Sequence, residues 1–377
     1  MWHNRWNRRG RRVGATAVAS LALAATAFLA PAAAAPRSHT SAPPPVFGSS
    51  GIKPYSGYEN RFPTTFPVPK VVHGKHYTIG CQNPVNAGNQ TTTTFCLGVM
   101  AEAHALGMRY IGVVTNVTVT KQVSNFEQLV AEGANAIVLY PLSPTALTTA
   151  LANAKKHGVV VIAENVTVTP KAFTPPGYRA QVWEGRDEEA YLSVAEMAKL
   201  VPHGKIGIIG IAAPVPAIKF LVTRYRFYAK QFGLTIVGEY DVTHTTVSGG
   251  ETAMTALLAK YPDMQGLLAF NDTTAVGAYT AARSEGRTGI KIVGINGSTT
   301  GIDAVKAGHV AAIIQVDAVG QGMEATLGAY DALTRQHLPL PKVVVRPPTA
   351  IITKQDVAKV PSWQKELSEI RPAHLIY

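Results

Sequence analysis

The feature that most constrains this chain is the regular recurrence of short apolar runs, each followed by a polar turn and a helical pattern. The runs are "YTIGC", "RYIGVV", "NAIVLY", "GVVVIA", "KIGIIGI", "LTIVGEY", "QGLLAF", "IKIVGI" and "VAAIIQ". Near-continuous apolarity over four to eight residues is what a strand buried on both faces requires, whereas a half-exposed strand would alternate. Between the runs lie segments such as "PTALTTALANAKKHG", in which Ala146, Leu147, Ala150, Leu151 and Ala154 share one helical face. Gly158 and Gly233 stand where two such helices should stop. Buried strands alternating with helices predict an α/β fold with an open parallel sheet wound on both faces.

An internal echo divides the pattern in two. "LVAEGANAIVLYPLSPTALTTALANAKKHGVVVIAEN" ends at Asn165, and "LLAKYPDMQGLLAFNDTTAVGAYTAARSEGRTGIKIVGIN" ends at Asn296. Both run helix, apolar strand, polar turn, small-residue helix, apolar strand, Asn. The expected architecture is therefore two similar doubly wound parallel-sheet lobes joined by a hinge. Ligands of open parallel sheets sit outside the carboxyl ends of the strands, which is where these asparagines fall. Two facing lobes would bring both sets of strand ends to one cleft that closes on a ligand.

The first 35 residues carry five arginines (Arg5, Arg8, Arg9, Arg11, Arg12) and then the acid-free run "VGATAVASLALAATAFLAPAAAA". This predicts a signal peptide over 1–35, cleaved near Ala34 or Ala35, by Sec or twin-arginine export. Removing those five charges takes the formal net charge from +12 to about +7. The remaining basic residues are scattered singly, which weighs against nucleic acid as a partner. No cysteine stands at the cleavage site in "LAPAAAAPRS", so the mature protein is expected free in a periplasm or outside the cell. Residues 36–70, rich in Pro, Ser, Thr and Gly, lack the apolar surface to fold alone and read as a linker, either a tether or an arm draped on the surface. The two cysteines, Cys81 and Cys96, would meet an oxidising compartment; a disulfide stapling the first strand to the first helix and a pair of buried thiols both remain open. Ligand spacing for a metal is missing, and no cofactor is expected.

The chain resembles the ribose and galactose type of periplasmic sugar-binding protein, the type I periplasmic binding protein family with a LacI-like fold. The resemblance runs from about His76 to Thr353 and rests on "GVMAEAHALGMRYIGVV", "LVAEGANAIVLYPLSPTAL", "AKKHGVVVIAEN", "FNDTTAVGAYTA", "KIVGINGSTTGIDAVKAGHVAAIIQ" and "PPTAIITKQ" in that order. It implies lobes of 71–183 plus 316–346 and of 184–315 plus 347–377. It also implies binding residues: Asn271 as an asparagine bonding sugar hydroxyls, Asn296 in place of an aspartate, and Arg224 as an arginine reaching ring or hydroxyl oxygens. Gln315 would be a glutamine at a crossover, Glu164 and Asn165 stand in place of an Asp-Arg pair, and Asn89 falls in the first strand-helix loop. Amides suit a neutral polyol, since each offers donor and acceptor in one plane. Tyr140, Trp183 and Phe270 are the candidates for stacking on the sugar's C–H face. An Asn after a strand can equally serve only as a helix cap.

Two departures bear on the ligand: "TTTT", Thr91–Thr94, replaces paired aromatics, and asparagine replaces two aspartates. Ribose itself is thereby put in doubt. Enzyme motifs of the G-x-S-x-G, H-E-x-x-H and G-x-x-x-x-G-K-[ST] kinds are missing, and catalysis is not expected. The expectation is a monomeric solute-binding protein of an ABC importer, taking a small sugar or polyol and handing it to a membrane permease. A ligand sensor on the same fold is the alternative, and an enzyme the remote one.

Overall fold

A computed structural model describes residues 45–85, 89–143, 145–166 and 177–369. The signal segment 1–35 and the start of the arm lie outside the described residues. All nine runs form strands, and among the described residues three further short strands join them.

The first sheet has the order β11-β5-β4-β3-β1-β2, from β1 (Thr78–Asn83), β2 (Arg109–Val114), β3 (Ala136–Leu139), β4 (Val160–Glu164), β5 (Ala180–Trp183) and β11 (Val343–Val345). The second has the order β12-β10-β9-β8-β6-β7. Its strands are β6 (Lys205–Ile211), β7 (Thr235–Val242), β8 (Gly266–Ala269), β9 (Lys291–Asn296), β10 (Ala312–Gln315) and β12 (Ala350–Thr353). The two orders match position by position, so β3 and β4 of the repeat correspond to β8 and β9. Every pairing is parallel except β12, which runs antiparallel to β10. The fold is that of two doubly wound α/β lobes.

The helices of the first lobe are α1 (Gln90–Ala105), α2 (Val119–Ala131), α3 (Thr148–Lys156) and α9 (Ala318–Thr334). Those of the second are α4 (Arg186–Leu200), α5 (Pro216–Gln231), α6 (Val247–Lys260), α7 (Asp272–Ser284) and α8 (Thr299–Ala307). Helix α3 starts two residues later than the apolar face suggested: Leu147 is its N-cap, while Ala150, Leu151 and Ala154 are buried as expected. Gly158 follows α3 at φ +71, a left-handed position that ends the helix without a Cβ penalty. Helices α1 and α9 lie so close that a Cβ on Gly98 would strike the Val319 carbonyl, and one on Gly322 the Phe95 carbonyl.

A disulfide joins Cys81 in β1 to Cys96 in α1, with Cα atoms 5.8 Å apart. The chain passes between lobes after β5, after β10 and after β11. Helix α10 (Trp363–Glu369) contacts α1 and α9 of the first lobe, although 347–377 is expected with the second. Apolar burial in the tail explains this, since Trp363 is 2% exposed and its Nε1 donates to the Val316 carbonyl at the crossover.

The arm is draped from residue 45 onward. Its Phe47 bonds the edge of β12, and Phe66 is fully buried beside Gly328 of α9. Among the described residues, no helix is long and apolar enough to cross a membrane.

Candidate functional site

In the second lobe three adjacent strands end in polar groups. Phe270 is buried after β8, and Asn271 follows as the N-cap of α7. Its Oδ1 accepts from Thr274 N at 2.8 Å and from Thr274 Oγ1 at 2.8 Å. Among the described residues, its amide nitrogen donates to no protein group. The buried Asp272 carboxylate accepts from Ser298 N at 2.7 Å and lies against the Asn296 amide. Burial raises the Asp272 carboxyl above its usual range, partly offset by Ser298 and by the Asn296 amide. Asn296 is half-buried at φ 122 and sits in register with Gln315 of β10. Gln315 is nearly sealed: its Nε2 donates to Pro361 O at 3.3 Å and its Oε1 accepts from Thr349 Oγ1 at 3.2 Å.

The first lobe presents Tyr140 after β3, Glu164 and Asn165 at the end of β4, and Trp183 at the end of β5. Gln122 of α2 braces the first of these turns from both sides, donating to Tyr140 O at 2.8 Å and accepting from Leu142 N at 2.9 Å. Asn165 is fully buried at φ 57, a left-handed setting that Asn tolerates. Its amide is used up within the crossover, donating to Glu184 Oε2 at 2.7 Å and accepting from Glu184 N at 2.9 Å. Asn89 caps α1 by accepting from Thr92 N at 3.1 Å.

Beside Asn165 lies a buried acidic cluster. Arg186 pairs with Glu184 at 2.6 Å and Glu189 at 2.7 Å, and Glu164 adds a third carboxyl. Burial, then the neighbouring Glu184, pushes the Glu164 carboxyl well above the usual range; burial likewise raises Glu184 and Glu189. Burial alone would lower the Arg186 guanidinium, but Glu184 and Glu189 hold it charged. One guanidinium for three carboxyls favours keeping a proton in the cluster. Glu164 Oε2 makes no hydrogen bond among the described residues, and the Tyr140 hydroxyl lies beside the Arg186 guanidinium.

Arg224 does not join the strand ends. It sits within α5, pairs with Asp187 and stacks 3.9 Å from the Phe227 ring centroid. Trp183 also turns its polar edge away, its Nε1 donating to Glu59 of the arm and its ring standing edge-on to Phe220.

A hydrogen bond links the carboxyl-end regions of the two sheets. Gln90, the first residue of α1, accepts from Thr299 N, the first residue of α8, at 2.7 Å. Both helices begin just beyond strand carboxyl ends, so this bond ties the carboxyl-end region of one sheet to that of the other. Gln90, Thr299, Gln122, Asp272 and the Glu184–Arg186–Glu189 cluster were not singled out from sequence. Gln90, Thr299, Gln122 and Asp272 act through partners distant in the chain, which no local pattern encodes, whereas the spacing of Glu184, Arg186 and Glu189 is local and only their burial was hidden.

A family model described as "Periplasmic binding protein domain" matches residues 83–336. The ribose import binding protein RbsB of Bacillus subtilis is 26% identical over 259 residues, 69% of this chain and 82% of that protein. The xylitol-binding protein of Mycolicibacterium smegmatis is 26% identical over 258 residues, covering 64% of this chain and 68% of that one. A Bacillus halodurans ABC transporter solute-binding protein with bound myo-inositol superposes with a TM-score of 0.66 at 20% identity, taking in 75% of this chain and 96% of its own. The family match spans more than half of the 377 residues and takes in strands of both sheets, so this chain belongs to the periplasmic binding protein domain family.

Proposed function

We propose that this chain is an extracytoplasmic solute receptor of an ABC importer, binding one small sugar or polyol between its lobes without chemical turnover. The observation that carries this reading is the meeting of two topologically matched sheets at their carboxyl ends. Asn271 carries, among the described residues, an unused amide donor at one of these strand ends, and Thr299 bonds Gln90 between the two sets. Groups that donate and accept in one plane suit a neutral polyhydroxy ligand. Curated relatives named for ribose and xylitol support the ligand class. Exported through its N-terminal signal and acting as a monomer, the protein hands its ligand to a membrane permease.

Calorimetry against pentoses, hexoses, deoxysugars and polyols is the test. One-to-one binding of a member of the panel with no product formed is the expected result. Silence across the panel together with binding of an amino acid or peptide would overturn it.

A further inference from the structure

The arm before the family match makes a connection that the three crossovers do not. Helix α4 begins at Gly185, which stands in the left-handed region at φ +72 and caps nothing, having no side chain. The first N–H groups of a helix need acceptors. Here they find one far back in the chain: the Glu59 carboxylate accepts from Asp187 N at 3.1 Å and Glu188 N at 3.0 Å. The same carboxylate accepts from Trp183 Nε1, at the end of β5. Trp183 belongs to the first sheet and Asp187 to a helix packed on the second, with Gly185 between them as the pivot. One buried carboxylate therefore bonds both sides of the turn about which the lobes would rotate.

The rest of the arm is fastened to each lobe in turn. On the second, Phe47 N donates to Thr349 O at 3.1 Å, Ile351 N to Phe47 O at 2.7 Å, and the Tyr55 hydroxyl to Asp187 at 2.7 Å. On the first, Val345 N donates to Pro63 O at 2.9 Å, Arg346 to Thr64 O at 3.0 Å, and Phe66 N to Glu324 at 2.8 Å. The arm thus touches the crossovers after β5 and after β11 on its way between lobes.

We propose that Glu59 is a hinge lock: the arm is an additional interlobe connection whose carboxylate holds the pivot at Gly185 in the setting where Thr299 meets Gln90. Opening must pull Asp187 and Glu188 away from Trp183, and Glu59 cannot follow both. The arm lies before the matched residues 83–336. The restraint does not depend on the ligand's identity and is tested on the ligand-free protein.

The experiment places spin labels on exposed helical positions of the two lobes, through Lys121→Cys in α2 and Asp303→Cys in α8, and reads the interlobe distance distribution. Amide exchange at Asp187 and Glu188 is followed in parallel. Glu59→Ala should lengthen and broaden the distribution, with exchange at those amides rising about tenfold. Tyr191→Phe, which removes only a bond from its hydroxyl to Lys53 O, should leave the distances unchanged. Should Glu59→Ala fail to fold, Glu59→Gln keeps the size and should shift the distances in the same direction by less. Faster exchange with an unchanged distance distribution would make Glu59 a helix cap only and overturn the lock. An equal widening in Tyr191→Phe would also overturn it.

Discussion

Asn271 holds two roles on two atoms, and they can be separated. Its Oδ1 caps α7, while among the described residues its nitrogen has no protein partner. Asn271→Ala should lower stability by about 1 kcal/mol through the lost cap. It should also weaken ligand binding tenfold to a hundredfold, about 1 to 3 kcal/mol. Asn271→Asp keeps a capping oxygen and loses the donor, so the melting temperature should hold while affinity falls in calorimetry. Affinity unchanged from the parent in both variants would leave the residue as a cap alone. The repeat made Asn271 and Asn296 legible as strand-end positions, because period and spacing are local properties. That Asn165 is consumed by Glu184, or that Arg224 is held by Asp187, was not legible, since those partners are set by how elements pack.

At the scale of elements, apolar runs foretold nine strands, and the three not singled out show what such runs miss. "AQVW" and "VVV" are only four and three residues long, and β12 closes a sheet edge in antiparallel sense within "TAIIT". β3, β8 and β10 are no longer than four residues but lie inside longer apolar runs, whereas these three have too little apolar flank to stand out from a loop. The disulfide pins β1 to α1 across a 15-residue separation, and the chain-entropy model assigns a loop of that size about 3 kcal/mol. Denaturant titration of the Cys81→Ala, Cys96→Ala double variant should show a loss of that order, and thiol titration of the exported protein should find no free sulfhydryl. The acids along the crossovers give a pH signature. Burial pushes Glu59 up to about 7, Glu188 to about 8 and Glu324 to about 7. In the unfolded chain they titrate near their usual value, so between roughly pH 4.5 and 8 the folded state binds more protons. Their stabilising contribution is complete below the unfolded value and is lost as pH rises through the folded ones. The melting temperature should therefore fall from pH 5 to pH 8, and Glu324→Gln should flatten that slope.

For the whole molecule, the bond from Thr299 to Gln90 belongs to the relation between lobes rather than to either one. Gln90→Ala should leave each lobe's melting behaviour near that of the parent and weaken ligand binding about threefold to tenfold, the size of one lost hydrogen bond. Small-angle scattering of the ligand-free variant should show a larger radius of gyration than the parent; an unchanged radius would mean the bond follows closure without favouring it. The arm has a consequence of another kind, in the order of assembly during synthesis. Phe66 bonds a residue 258 positions later, and Phe47 waits for β12, the last strand among the described residues. The segment that emerges before the lobes is the one that finds its seat after them. A waiting segment with exposed apolar strands would invite mispairing. Proline, serine and threonine spare it that hazard, so the composition that makes the arm unable to fold alone is also what lets it arrive last.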